Sequence, residues 1–393
     1  MRHIIISILC FFSIQFSFGQ AKDVWIRFYD TTTELSGYKD LKGNIKIPAK
    51  YDNLTRADTF HNIIAVTEKI DSSYKSYYLL KDGRKVGQDS VFMFDFTYDC
   101  ESEGKILFKD NKKDRVGFFD KNGLAIIPAI YNAASPFHNG LAIALKNAKR
   151  SCWGENEDTL NCEHLSWSGG EAVLINDKNE ILVDSLKGYL SNINWYSLKI
   201  NDPSVDTSIW VSLQGNSGKV YSFVNYEKEF TKWFYSKFLL ALNSPSKDKL
   251  KELLFSEVTF WTNKNGWTSL NNNKFLNAFP TSITKERFKE NNFKRLSISD
   301  EDLNSLIFED KLYKSFFDAC GSHNKEKYPV FDVMLTYYKK RTKELNIPPP
   351  PGSKSDKWEL SDFDKKYEID YQEHFEFIRT DEGYKLLKVS LKH

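Results

Sequence analysis

The sequence predicts a β-rich repeat domain of stacked antiparallel hairpins, followed by an α+β domain. Three observations carry that prediction. Turn glycines recur forty residues apart, at Gly43, Gly83 and Gly123. Apolar runs of strand length flank each of them. From Tyr226 onward the apolar spacing changes to that of a helix.

Each repeat copy has a physical reading. One is DLKGNIKIPAKYDN, from Asp40 to Asn53, and another is DKNGLAIIPAIYNA, from Asp120 to Ala133. An apolar strand such as VGFFD runs into a turn such as KNG, and LAIIP leaves it. Asn-Gly and Asp-Gly readily take the left-handed conformation of a tight hairpin. Pro48 and Pro128 cannot donate to a ladder, so they end the pairing. Tyr51 and Tyr131 are expected to pack between units, and a third short strand, GLAIAL, to complete its unit. YYLLKDGRKVG is a weaker copy around Gly83, and VLINDKNEILVD, Val173 to Asp184, is a degenerate fourth. One hairpin cannot bury its own apolar face, so neighbours must stack.

The segment GFFDKNGLAIIPAIYNAASPFHNGLAIAL resembles the WG-repeat family of bacterial proteins. The resemblance covers roughly residues 36–185, and Val116-Gly117 stands in place of the name-giving Trp-Gly. It implies an exported or surface-associated repeat protein, of a family mostly without an assigned catalytic site. The copies fit either an open solenoid or a closed propeller.

The chain begins like an export signal. Arg2 supplies the positive start, Ile4 to Phe18 is mostly apolar, and Ser17 and Gly19 have the small-residue spacing of a cleavage site. Residues 1–19 are therefore read as a signal peptide. Ser7, Ser13 and Gln15 interrupt the stretch, which is too short for a membrane anchor. The expected location is the periplasm or cell envelope of a bacterium, with no membrane span after cleavage. The repeats then occupy residues 20–185, and 186–225 reads as a degenerate fifth repeat or a linker.

The 393 residues are 41% hydrophobic, enough to bury cores in two or three domains. Lys and Arg number 55 against 53 Asp and Glu, and losing Arg2 leaves 54 against 53. So balanced a chain is a poor partner for nucleic acid.

Residues 226–393 form the expected α+β domain. Phe230, Phe234, Phe238 and Leu242 have helical spacing, and KDKLKELL reads as a second helix. Helices are also expected over ITKERFKENNF and over DEDLNSLIFEDKLYKSFFDA. KYPVFDVMLTYY reads as a strand, and EIDYQEHFEFIR with YKLLKVSL as a hairpin. Helices before long strands resemble, in layout alone, the cone-shaped nuclear-transport-factor-two-like fold. That resemblance implies a pocket between helices and sheet.

The candidate functional residues follow from these elements. After signal cleavage four cysteines remain, and Cys152 and Cys162 are close enough to staple a polar loop. Cys100 and Cys320 fall in different expected domains and read as unpaired. Trp153, Trp167 and Trp195 lie in or after the stapled loop and could form a surface for a protein or glycan. In a cone, His374, Asp332, Tyr337 and Asp370 could line a pocket. His61 and His138 recur at matching repeat positions and read as structural, and His164 and His323 read as polar-loop residues. No metal, cofactor or catalytic motif is expected. The sequence thus favours an exported, non-catalytic interaction module. The alternative is a ligand-binding, hydrolase-like or isomerase-like C-terminal domain.

Overall fold

A computed structural model describes residues 23–152, 162, 165–186, 190, 192–244, 247–262, 266–278, 283–304, 307–308, 311–343, 345 and 361–392. The repeat half is a succession of five three-stranded antiparallel units. The first holds Trp25–Asp30, Leu35–Asp40 and Ile45–Tyr51; the second Ile63–Ile70, Ser73–Leu80 and Lys85–Val86. The third holds Lys105–Asp110, Arg115–Asp120 and Ala125–Tyr131; the fourth Leu141–Lys146, Glu171–Asn176 and Ile181–Val183. In the fifth, Val220–Asn225 lies between Ile193–Ile200 and Trp210–Gln214. The Tyr51–Glu68 pair joins the first two units into one continuous sheet.

The turns repeat in detail. Gly43, Gly83 and Gly123 have φ of +90°, +88° and +78°, and Asn179 takes the same role in the fourth unit at +63°. Asp120 accepts from the N–H groups of Asn122 and Leu124, at 2.9 and 2.8 Å, and so closes its hairpin turn. Asp40 grips Lys42 and Asn44 in the same way, at 2.9 Å each.

A second recurring glycine has a steric cause. Pairing skips from Val116–Tyr131 to Phe118–Ile127, so the chain around Pro128 bulges across Gly117. A Cβ there would lie 2.4 Å from the Ile127 carbonyl oxygen. Gly37 meets the bulge around Pro48 identically, 2.6 Å from the Ile47 oxygen. The proline thus marks a bulge inside the strand, and the strand continues through it to Tyr51 or Tyr131.

The sequence repeat and the sheets are out of phase. Each copy supplies the last two strands of one unit and the first strand of the next. GLAIAL opens the fourth unit and does not complete the third. Cores form between consecutive units: Tyr38, Tyr51, Val66 and Tyr77 in one; Leu107, Phe118, Ala142 and Val173 in another; Leu174, Trp195 and Phe223 in a third.

The C-terminal domain begins without a break after the fifth unit. Helix α1 (Tyr226–Trp233) is capped by the Asn225 side chain, which accepts from the Lys228 N–H. It runs on through a π-helical turn, Phe234–Phe238. The sheet strands are β1 (Leu254–Thr262), β2 (Gly266–Asn271), β3 (Lys294–Glu301), β4 (Val330–Lys340), β5 (Tyr367–Thr380) and β6 (Gly383–Ser390). They stand in the order β2-β1-β6-β5-β4-β3, with β1 parallel to β6 and every other pair antiparallel. Phe230, Phe234 and Phe238 pack onto Phe331, Phe375 and Phe377 of the sheet.

Two expected helices are corrected. ITKERFKENNF is helical only as the short turn Lys285–Phe288. Over 300–319 the chain continues β3 to Glu301 and then runs irregularly, among the described residues, to a turn at Lys314–Phe316. Tertiary burial overrides local propensity there: Leu303, Phe308, Tyr313 and Phe316 form a second core with Ile378 and Leu387.

Cys100 and Cys320 do not stay apart. They form a disulfide spanning 220 residues. The Cys320 loop of the C-terminal domain packs against the core between the first two units. The Thr59 N–H donates to the Ala319 carbonyl at 3.0 Å. Sequence separation hid the pair, because the fold alone brings the two loops together.

Candidate functional site

The fourth unit carries an insertion between its first two strands. Lys149–Cys152 pairs with Leu165–Ser168, and Cys152 is disulfide-bonded to Cys162. The flanking strands keep one register from Leu141–Asn176 to Lys146–Glu171, so the insertion leaves the sheet intact. Trp167 stands opposite Arg150 in this small hairpin. The Arg150 guanidinium therefore lies 3.9 Å from the centre of the Trp167 ring.

Arg150 is itself fixed. It donates to both oxygens of Asp114, at 2.8 and 3.0 Å, from the turn of the third unit. Lys109 joins the same carboxylate at 2.8 Å. Hydrogen bonding from Arg150 and the charge of Lys109 hold Asp114 far below the usual carboxylate range.

Beside Trp167 lies a groove of about 510 Å³. Small residues floor it, among them Ala134, Gly169, Gly170 and Ala172, while Ile143 and Leu145 add apolar wall. Arg115 reaches to 5.7 Å from the Trp167 ring. Its guanidinium donates to the backbone carbonyls of Lys113 and Asp114, at 3.3 and 2.9 Å. Trp167 and small apolar residues line one concavity, and the two arginines at the Trp167 ring put positive charge beside it, which suits an apolar segment carrying a negative charge.

The other tryptophans differ. Trp153 lies outside the described residues, as does His164. Trp195 is corrected: it is buried in the core between the fourth and fifth units, edge-on to Phe223 at 5.8 Å. It sits on the inward side of its strand, and the Asn139 side chain donates to its carbonyl at 2.8 Å. His138 tilts against it at 6.0 Å, and burial lowers the pKa of the imidazole.

The recurring Phe-His-Asn segments have a further structural role. Glu101 accepts from the N–H groups of Asn62 and Ile63, at 2.7 and 3.0 Å. Glu103 accepts from those of Asn139 and Gly140, at 2.6 and 2.8 Å. No sequence repeat flags these glutamates, because each belongs to a connection rather than to a repeated strand.

In the C-terminal domain the four expected pocket residues do not converge. Strand alternation puts His374 on the face of the sheet opposite Phe375 and the helices. There its Nδ1 pairs with Asp332 at 2.6 Å, and that carboxylate raises its pKa. Glu376, on the same face, is paired with Lys388. Tyr337 faces the helix side, where its hydroxyl donates to Glu373 at 3.0 Å and Arg287 salt-bridges the same carboxylate. Asp370 meets Lys392 and Lys339, at 3.2 and 3.4 Å. The space that a cone would leave open is filled by rings, with Phe230 stacked on Phe331 at 4.7 Å. His323 is held by the Leu303 N–H and the Tyr328 carbonyl, at 3.1 and 2.7 Å.

Among the described residues, no group of three or more His, Cys, Asp or Glu could hold a metal ion. Nor is any described helix long and apolar enough to cross a membrane. Two segments, residues 37–66 and 117–149, match the family model of the WG containing repeat. No curated protein matches the chain.

Proposed function

We propose, from the two WG-containing repeats it carries, that this chain is an exported, non-catalytic interaction module of the bacterial envelope. The observation that carries the reading is the groove beside Trp167. It is apolar, preformed and walled by an aromatic ring that Arg150 and Asp114 hold in place. Preorganised aromatic anchors of this kind suit protein recognition. Export is supported by the apolar stretch before Gly19 and by two disulfides, which persist in oxidising compartments. Among the described residues, the groove brings together no acid, base or nucleophile in hydrogen-bonding reach of one another, and its apolar lining supports binding.

The test is expression of the full chain in a Gram-negative host, followed by fractionation and cross-linking in envelope extracts. The mature protein is expected in the periplasmic or envelope fraction, starting at Gln20. Its cross-linked partners are expected to disappear in Trp167→Ala. An intact Met1 in the cytoplasm refutes export, and an unchanged partner set refutes the groove.

A further inference from the structure

The link between the second and third units carries a short hairpin, Met93–Phe94 paired with Thr97–Tyr98. Its tip is apolar and outside every core. Phe94 is 74% exposed, Phe96 81% and Met93 48%. Asp95 and Phe96 both have positive φ, +47° and +58°. That is a rare conformation for a bulky aromatic residue, and such strain clusters at functional positions. Folding of one chain gains nothing from two solvated phenylalanines at a strained turn.

The base of the finger is fixed. The Tyr98 hydroxyl bonds Thr67 and Ser76, at 2.6 and 2.9 Å, and the Phe92 N–H donates to the Tyr78 hydroxyl at 2.9 Å. A stalk anchored at its base thus presents two exposed rings with one negative charge, Asp95, between them.

We infer that this finger docks in the Trp167 groove of a second copy of the chain, head to tail. The inference rests on the groove as a binding site and names its occupant. The match has two parts. The groove is apolar and floored by small residues, so it can accept a ring. Beside the Trp167 ring, 5.7 Å from its centre, the Arg115 guanidinium supplies a positive charge complementary to Asp95. A bilayer is a poorer occupant: residues 91–98 contain one charge, it is negative, and no Lys or Arg accompanies it. A finger and groove on different parts of one chain make a heterologous contact, which extends beyond a dimer unless it closes into a ring.

The experiment is sedimentation velocity of the mature protein over a range of concentrations. Wild type is expected to grow in mass with concentration. Phe94→Ser with Phe96→Ser, and separately Trp167→Ala, are each expected to weaken association about tenfold or more. Mixed together, these two variants should form a 1:1 pair that grows no further, because one supplies the groove and the other the finger. A monomeric wild type, an associating finger variant or a mixture that fails to pair overturns the inference. So does Phe94- and Phe96-dependent co-sedimentation with phosphatidylglycerol-containing vesicles. If Trp167→Ala loses envelope partners while self-association is untouched, the groove stands as a binding site and the second copy is the wrong occupant.

Discussion

The two halves of the molecule bury their aromatic rings differently. In the repeat half each core lies between consecutive units, so Phe118 packs with Leu107, Val116 and Ala142, all near in the chain. In the C-terminal domain one core joins Tyr226 to Val389, and the parallel pair β1–β6 links Leu254 to Leu386. The first arrangement adds up neighbour by neighbour. The second exists only when distant segments meet at once. The disulfide Cys100–Cys320 fastens one to the other.

Removing that fastening is the strongest way to break the comparison. Replacing Cys100 and Cys320 by serine opens a loop of 220 residues and is expected to cost about 4–5 kcal/mol. Urea unfolding should then separate into two transitions. Replacing Cys152 and Cys162 opens a separation of only 10 and should cost about 2–3 kcal/mol within one transition. Equal shifts from the two pairs would show that the halves are not distinct folding units.

A smaller effect probes the repeat half alone. Gly117→Ala forces a Cβ against the bulge around Pro128 and should lower stability by about 1–3 kcal/mol. In the background lacking the Cys100–Cys320 bond, calorimetry should show the loss in the repeat transition, with the C-terminal transition unmoved. A neutral Gly117→Ala would mean that the bulge can relax, and that the recurring glycine has another cause.

A pH-dependent effect sits at the seam. Asp99, next to Cys100, is pushed up to about 7 by burial, and Asp318 across the seam adds to the shift. Its folded value is thus above its unfolded value of about 3.9. Protonated Asp99 stabilises the fold fully below the unfolded value, and that stability is lost as pH rises toward 7. Asp99→Asn should flatten this decline by at most about 1.4 kcal/mol per pH unit. Melting curves of both proteins between pH 4 and 8 check it, and parallel curves would remove Asp99 from the seam's pH response.

The repeat was legible because its signals are local. Asp120 and Gly123 close one turn within four residues, and Pro128 bulges over a glycine eleven residues earlier. Cys152–Cys162 was legible for the same reason. The Cys100–Cys320 bond was not, since nothing between those residues signals that their loops meet. Trp195 misled because an inserted loop ends close before it in sequence, whereas its strand turns it into the core. In the C-terminal domain His374 and Asp332 meet away from any pocket, because the face they share depends on where the helices settle. The groove drew on Ala134 and Ala172, residues too plain to stand out before the sheet brought them beside Trp167.

The phase offset between sequence repeat and sheet has a consequence for how such a chain can lengthen. A duplicated or deleted copy shifts the junction, not the ends: the new segment completes the unit before it and opens the unit after it. Gene-level copying of about forty residues therefore inserts a whole sheet while both termini keep their original neighbours. The register held from Leu141–Asn176 to Lys146–Glu171 extends the same tolerance to the loop of the fourth unit. Foreign sequence of varied length could be grafted there and displayed without retuning the frame that carries it.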